Sequence, residues 1–137
     1  MNKPLDLSTE NEMALLNKQF VQTKDQDSGM YKSYEWTSEF FKFGLYFDRG
    51  YYDCYLTPIK SPINGITLLS LLKYLNNDHT FYDKELKEAN LWHTLSCNQY
   101  VTLVIMYHNQ MQHFFENYHQ EEYDKLMVFI KNNSSHL

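Results

Sequence analysis

Glycine is scarce in this chain of 137 residues, with 4 in all, and there are 3 prolines, 2 cysteines and a single arginine, Arg49. So little glycine leaves no room for a glycine-rich phosphate loop or a nucleophile elbow, both of which need close backbone approach at several positions. Two cysteines, Cys54 and Cys97, could close one bridge at most, and with no secretory context they are expected to be reduced thiols. The start, Met1-Asn2-Lys3-Pro4-Leu5-Asp6, shows no basic, apolar and cleavage regions of an export signal, so a cytoplasmic location is expected. Apolar runs such as Val101 to Tyr107 fall far short of the roughly 20 residues that span a bilayer, and no amphipathic segment carries a cationic face.

Aromatic side chains are plentiful: 17% of residues, including 12 Tyr and 9 Phe, enough to build a core with large buried areas per residue. A domain of this length buries roughly two-thirds of the surface its unfolded chain exposes, so folding needs neither disulfide nor metal. One domain over residues 1–137 is the simplest reading, with 1–8 and 132–137 expected to be flexible. The formal net charge is −5, from 17 acidic and 12 basic residues. That balance argues against a phosphate-tracking groove and for a basic protein partner.

The pattern along the chain predicts an α+β fold: an N-terminal helix, a small antiparallel hairpin or three-stranded meander, then three to four helices packed on it. Thr9 and Glu12 have capping-box spacing, and Met13, Leu16 and Phe20 recur on one face, predicting a helix over 9–22 followed by a polar loop over 24–29. Phe41, Phe43, Leu45 and Phe47 alternate, Asp48-Arg49-Gly50 turns the chain, and Tyr52, Cys54 and Leu56 complete the buried face of a hairpin. Tyr46, Tyr51, Asp53 and Tyr55 then lie on the other side, and Tyr31 to Trp36 is a candidate third strand. Pro58 and Pro62 end the pairing. Helices are predicted over 65–75, from Asp83 to about Leu95, from Ser96 to about Tyr118 on a stripe of Tyr100, Val104, Tyr107, Met111, Phe114 and Tyr118, and over 121–131.

Candidate chemistry competes with plainer readings. His108, His113, Glu116 and His119 crowd one predicted helix, but His108 and His113 are about 140° apart around it, the wrong spacing for one ion, and a solvated face is the simpler account. No metal or other cofactor is expected. Cys97 would occupy a first helical turn, where the dipole favours a thiolate, with His93 four residues earlier as a base, yet no Cys-His signature surrounds them and an inert side chain is the simpler reading. Cys54 alternates with core residues. The acid pairs Asp48 with Asp53 and Glu121 with Glu122 sit where carboxylates are usually solvated.

What stands out is the surface. Asp78, Tyr82, Asp83, Glu85 and Glu88 form one acidic and aromatic cluster, and Glu116, Tyr118, Glu121, Glu122, Tyr123 and Asp124 form another. Carboxylates that speed encounter and tyrosines that anchor contact are the ingredients of a face for a basic protein. A face that only keeps the domain soluble is the plain alternative.

The segment Phe43-Gly44-Leu45-Tyr46-Phe47-Asp48-Arg49-Gly50-Tyr51-Tyr52, the Leu-rich helix after it, Leu91-Trp92-x-x-Leu95 and Tyr107-x-Asn109 together resemble immunity proteins of bacterial polymorphic-toxin systems, the contact-dependent growth inhibition type included. The likeness spans roughly residues 40 to 130. It implies a cytoplasmic, non-enzymatic inhibitor that binds a cognate toxin domain, often a nuclease, and occludes its active site or substrate surface. Rival expectations are a small enzyme using His113, Glu116 and His119 or Cys97 with His93, and a phage-type inhibitor or scaffold that binds another host protein.

Overall fold

Alternation and turn chemistry place the chain's centre in a sheet. In the computed structural model, which describes residues 3–62, 64–88 and 95–134, five antiparallel strands follow one another in sequence order. They are β1 (Val21–Asp27), β2 (Tyr31–Thr37), β3 (Phe41–Asp48), β4 (Tyr51–Pro58) and the short β5 (Ile66–Thr67). Helix α1 (Thr9–Asn17) precedes the sheet. After it come α2 (Leu68–Leu75), α3 (Asp83–Glu88), α4 (Cys97–Met106), α5 (His108–Glu116) and α6 (Gln120–Ser134). The fold is α+β, with six helices among the described residues.

The hairpin β3–β4 forms as the sequence predicts. Leu45 faces Cys54 and Phe43 faces Leu56, while Arg49 and Gly50 both adopt positive φ (55° and 93°), the pairing that a two-residue turn needs to match the strand twist. Phe41, Phe43, Leu45 and Leu56 are wholly buried. Phe47 and Tyr52 meet at a tilt, 4.7 Å between ring centres, in a half-buried rung at one end. Trp36 of β2 stacks on Phe43 at 5.2 Å, and Phe20 meets Phe41 and Phe43 edge-on at 5.3 and 5.2 Å. Burial of each such ring contributes about 1.5–3 kcal/mol.

Several boundaries differ from those the sequence predicts. Ser8, not Thr9, caps α1, its side chain accepting from the Asn11 amide at 3.1 Å. The helix stops at Asn17, Gln19 turns at φ 66°, and Met13 and Leu16 are 58% and 63% exposed, so Leu15 meets the core in their place, while Phe20 is buried beyond the helix. Where a polar loop over 24–29 is expected, the chain forms β1, paired to β2 with a bulge between Gln22 and Lys24. Polar residues suit this strand because it lies at the sheet edge and needs only backbone bonding on one side. Pairing also resumes after Pro62: Ile66 faces Leu56 and Thr67 faces Tyr55 before α2 begins.

The predicted helix over 96–118 is two. Ser96 and Gln99 close the expected capping box, the Gln99 amide donating to Ser96 Oγ at 3.2 Å and the Ser96 amide to Gln99 Oε1 at 2.8 Å. The helix then breaks at Tyr107 (φ −104°, ψ 17°) and restarts at His108, which turns His108 inward. The predicted helix from Asp83 is seen to Glu88; its continuation, with Leu91, Trp92 and His93, lies outside the described residues. Pro4 and Leu7 are buried, the Ser8 amide donates to Asn98 Oδ1 at 2.9 Å, and α6 runs through Asn132 to Ser134.

Candidate partner-binding surfaces

The two acidic clusters of the sequence are joined through neighbouring residues of α2. Lys73 pairs with Asp83 at 3.0 Å, and Tyr74 lines one cleft with Glu122; burial raises the Tyr74 pKa, and the Glu122 carboxylate adds to it. Asp78 holds the turn after α2, accepting from the Thr80 amide at 3.0 Å and the Thr80 hydroxyl at 2.8 Å, and these bonds keep its carboxyl below the usual range. Glu85 and Glu88 are exposed on α3, where Lys84 comes within 3.9 Å of Glu88. Glu121 and Asp124 are exposed on α6, and Glu122 is half-buried beside Lys125 at 3.5 Å. Glu116 is exposed at the end of α5, its backbone carbonyl accepting from Lys60. A shallow cleft of about 270 Å³ between α2, α5 and α6 runs past Tyr74, His113, Asn117 and Glu122.

The tyrosines of those clusters are less available than the sequence suggests. Tyr118 is 5% exposed and its hydroxyl accepts from Asn64, so it belongs to the core and not to a contact face. Its acidic neighbours make Tyr118 look like a surface ring, but it continues the buried stripe of Met111 and Phe114. Tyr82 and Tyr123 are half-buried and pack against the core by their rings.

A second tyrosine surface lies on the open face of the sheet, where Tyr46, Tyr51, Asp53 and Tyr55 sit as predicted and Tyr31 joins them. Tyr46 donates to Glu35 at 2.8 Å, and Lys42 and Lys24 approach the same carboxylate at 3.2 and 3.9 Å. Burial and that bond raise the Tyr46 pKa. Its ring lies across Gly44, where a Cβ would stand 2.4 Å from the hydroxyl oxygen. Glycine is required there by close approach rather than by a turn.

On the opposite face, beyond the helices, is a larger cleft of about 790 Å³ that the sequence did not reveal. Asp25 and Asp27 project into it from β1, opposite Tyr34 and Lys32 of β2, and Asp6, Lys3 and Glu12 come from the N-terminal segment and α1. Lys3 pairs with Glu12, and Lys32 approaches Asp27 at 4.0 Å while lying over the Phe47 ring. Period-two spacing of Asp25 and Asp27 was the available signal, hidden because the strand carrying them reads as a loop.

Among the candidate chemical groups, both thiols and His108 are buried. Cys97 is fully buried at the start of α4; burial pushes its thiol up to about 12, outweighing the helix dipole and a hydrogen bond from Tyr52. Cys54, buried beneath the sheet, is raised further. His108 lies against Phe20 and Phe41, its pKa lowered by burial, whereas His113, Glu116 and His119 are exposed. Among the described residues no three His, Cys, Asp or Glu side chains are placed to share a metal ion, and no helix is long and apolar enough to cross a membrane. Asp48, Asp53 and Glu121 are exposed. No protein-family model, curated protein or solved structure matches the chain.

Proposed function

We propose that this chain is an immunity protein, which binds a cognate bacterial toxin domain, a nuclease, in the cytoplasm and occludes its active site or substrate surface without catalysis, metal or cofactor. The observation that carries this reading is the acidic edge gathered around α2: Asp78, Asp83, Glu85, Glu88, Glu116, Glu121, Glu122 and Asp124 set against Lys73, Lys84, Lys87 and Lys125. A nuclease cleft is built to attract phosphate and is basic, so an excess of carboxylates on α3, α5, α6 and the turn after α2 is complementary to it. Packing of the helices as a layer on one face of the sheet would present that edge as a rigid body, which keeps the entropy cost of association low.

Tagged protein co-expressed with the product of the adjacent upstream gene tests the reading. An equimolar complex is expected, with an association rate that falls as salt rises and with loss of the toxin's activity in the complex. A protein that stays alone, or a partner whose activity persists when bound, would sink it.

A further inference from the structure

The open face of the sheet presents large side chains to solvent: Tyr31, Tyr51 and Tyr55 are 40%, 51% and 39% exposed on it, and Val21 is 62% exposed at its far corner. Rings that combine a broad apolar body with a polar tip are enriched in protein contacts, and here several share one surface. Charge is laid out on that surface in two halves. Toward the β3–β4 turn lie Asp48 and Asp53, with Arg49 approaching Asp48 at 3.9 Å. Toward the opposite ends of the strands lie Lys24 and Lys42, with Glu35 between them. Two carboxylates against one guanidinium leave the first half with one negative charge in excess, and two lysines against one carboxylate leave the second with one positive charge.

A chain whose formal net charge is −5 repels its own copies over most of its surface, but not across a face balanced in this way. The same balance gives a strongly basic partner no preference for it. In a two-fold dimer one patch meets itself, so it must complement its own rotated image. Two sheets packed face to face meet that condition when the axis runs across the strands, between the Tyr46–Asp53 row and the Glu35–Tyr55 row. β3 then runs antiparallel over β3 of the second copy, which sets Asp48 over Lys42 twice, and Asp53 of each copy comes opposite the Tyr55 hydroxyl of the other. Tyr46 and Tyr55, whose rings meet edge-on at 5.9 Å, flank the axis. Four strands at about 4.8 Å spacing and roughly seven residues at about 3.4 Å give a footprint of roughly 450 Å² in plan, to which the standing side chains add. The smaller specific interfaces bury about 500 Å² a side. We propose that this face pairs two copies of the chain in a weak, reversible two-fold dimer, with the acids of α3 and α6 left for the toxin. The pairing does not depend on the immunity reading.

Sedimentation velocity of the full chain from about 1 μM to about 1 mM tests it, with a dissociation constant on the order of 10–100 μM expected for so small a footprint. Asp48→Lys alone and Lys42→Asp alone should each weaken the dimer at least about tenfold, because each sets like charges together twice. Mixing the two variants should restore pairing to within about threefold of the parent, since across the axis each supplies the charge the other lacks. Recovery on mixing cannot come from a misfolded chain, so it separates a broken contact from a broken fold. Tyr55→Ala, which alters no charge, should weaken the dimer about tenfold at an almost unchanged denaturation midpoint. A chain that stays monomeric to about 1 mM, a dimer indifferent to Tyr55→Ala, or folded charge variants that do not rescue each other would overturn the proposal. With the toxin domain added, a complex of two copies of each chain is expected. A toxin that splits the dimer into one-to-one complexes and shifts the β3 and β4 amides would assign this face to the toxin instead. Failure of the dimer leaves the immunity reading standing, and a dimer that captures no toxin does the reverse.

Discussion

The two faces of the sheet are built from alternate residues of the same strands, yet they solve opposite problems. On the open face, Tyr46, Lys42 and Lys24 converge on Glu35, and Gly44 makes room for the Tyr46 ring. On the other face, Phe41, Phe43, Leu45 and Leu56 are sealed by helices, but one or two rungs further along the same strands the cover ends at Tyr52, Phe47, Lys32 and Asp27. Exposure thus changes across the sheet by alternation and along it by the reach of the helices. Only the first of these is written as a period in the sequence.

Truncating equivalent rings on the two faces would sharpen that contrast most. Phe43→Ala is expected to cost about 3–5 kcal/mol, since it opens a cavity that stacked neighbours cannot fill, whereas Tyr55→Ala, on the open face, should cost below about 1 kcal/mol. Chemical denaturation midpoints at constant slope measure both. Gly44→Ala should cost about 1–3 kcal/mol by pushing the Tyr46 ring aside, and most of that cost should vanish in a Tyr46→Ala background, a coupling read from a double-mutant cycle. An unchanged penalty would mean that backbone freedom, not the ring, dictates glycine.

Acid provides a third probe, aimed at the covered face. His108 is buried among rings with Nδ1 unpartnered, and its pKa is lowered. The unfolded chain therefore takes up that proton first: the contribution is intact above the unfolded value of about 6.5 and is lost as pH falls below it toward the folded value, at no more than about 1.4 kcal/mol per pH unit. His108→Phe should flatten the melting temperature between pH 7 and 5 relative to the parent. A parallel decline in both proteins would assign acid sensitivity elsewhere. The last probe is a single hydrogen bond on the open face: Tyr46→Phe removes the one to Glu35 and should cost about 1 kcal/mol in the same denaturation assay.

Legibility followed the strength of local rules. The β3–β4 hairpin could be read because alternation and a turn demanding positive φ agree at Asp48-Arg49-Gly50-Tyr51. The α4 start could be read because Ser96 and Gln99 satisfy each other within four residues. β1 could not, because a polar edge strand shares its composition with a loop, and its partner β2 lies beyond a turn built on Asp27 and Gly29. The break at Tyr107 carries no glycine or proline to announce it. For the candidate surfaces, the exposed acids were visible as charge runs, but Tyr118 was grouped with its acidic neighbours in sequence although the helical stripe already placed it inside. The cleft assembles Asp6, Glu12, Asp25, Tyr34 and Tyr52 from four elements and the segment before them, a proximity that only the strand register creates.

The bulge between Gln22 and Lys24 reaches further than the local geometry of β1. A seven-residue edge strand offers its free amides and carbonyls to any passing strand, and such an edge invites chains to pair into extended sheets. The irregular register and a lysine at that point deprive an incoming strand of a regular template, while the far edge, β5, is two residues long before it becomes a helix. Neither border of the sheet therefore favours recognition through the backbone alone, a mode that would accept almost any extended sequence. A partner has to be read through side chains, which lets small changes in a few residues alter which partner is accepted while the scaffold stays the same.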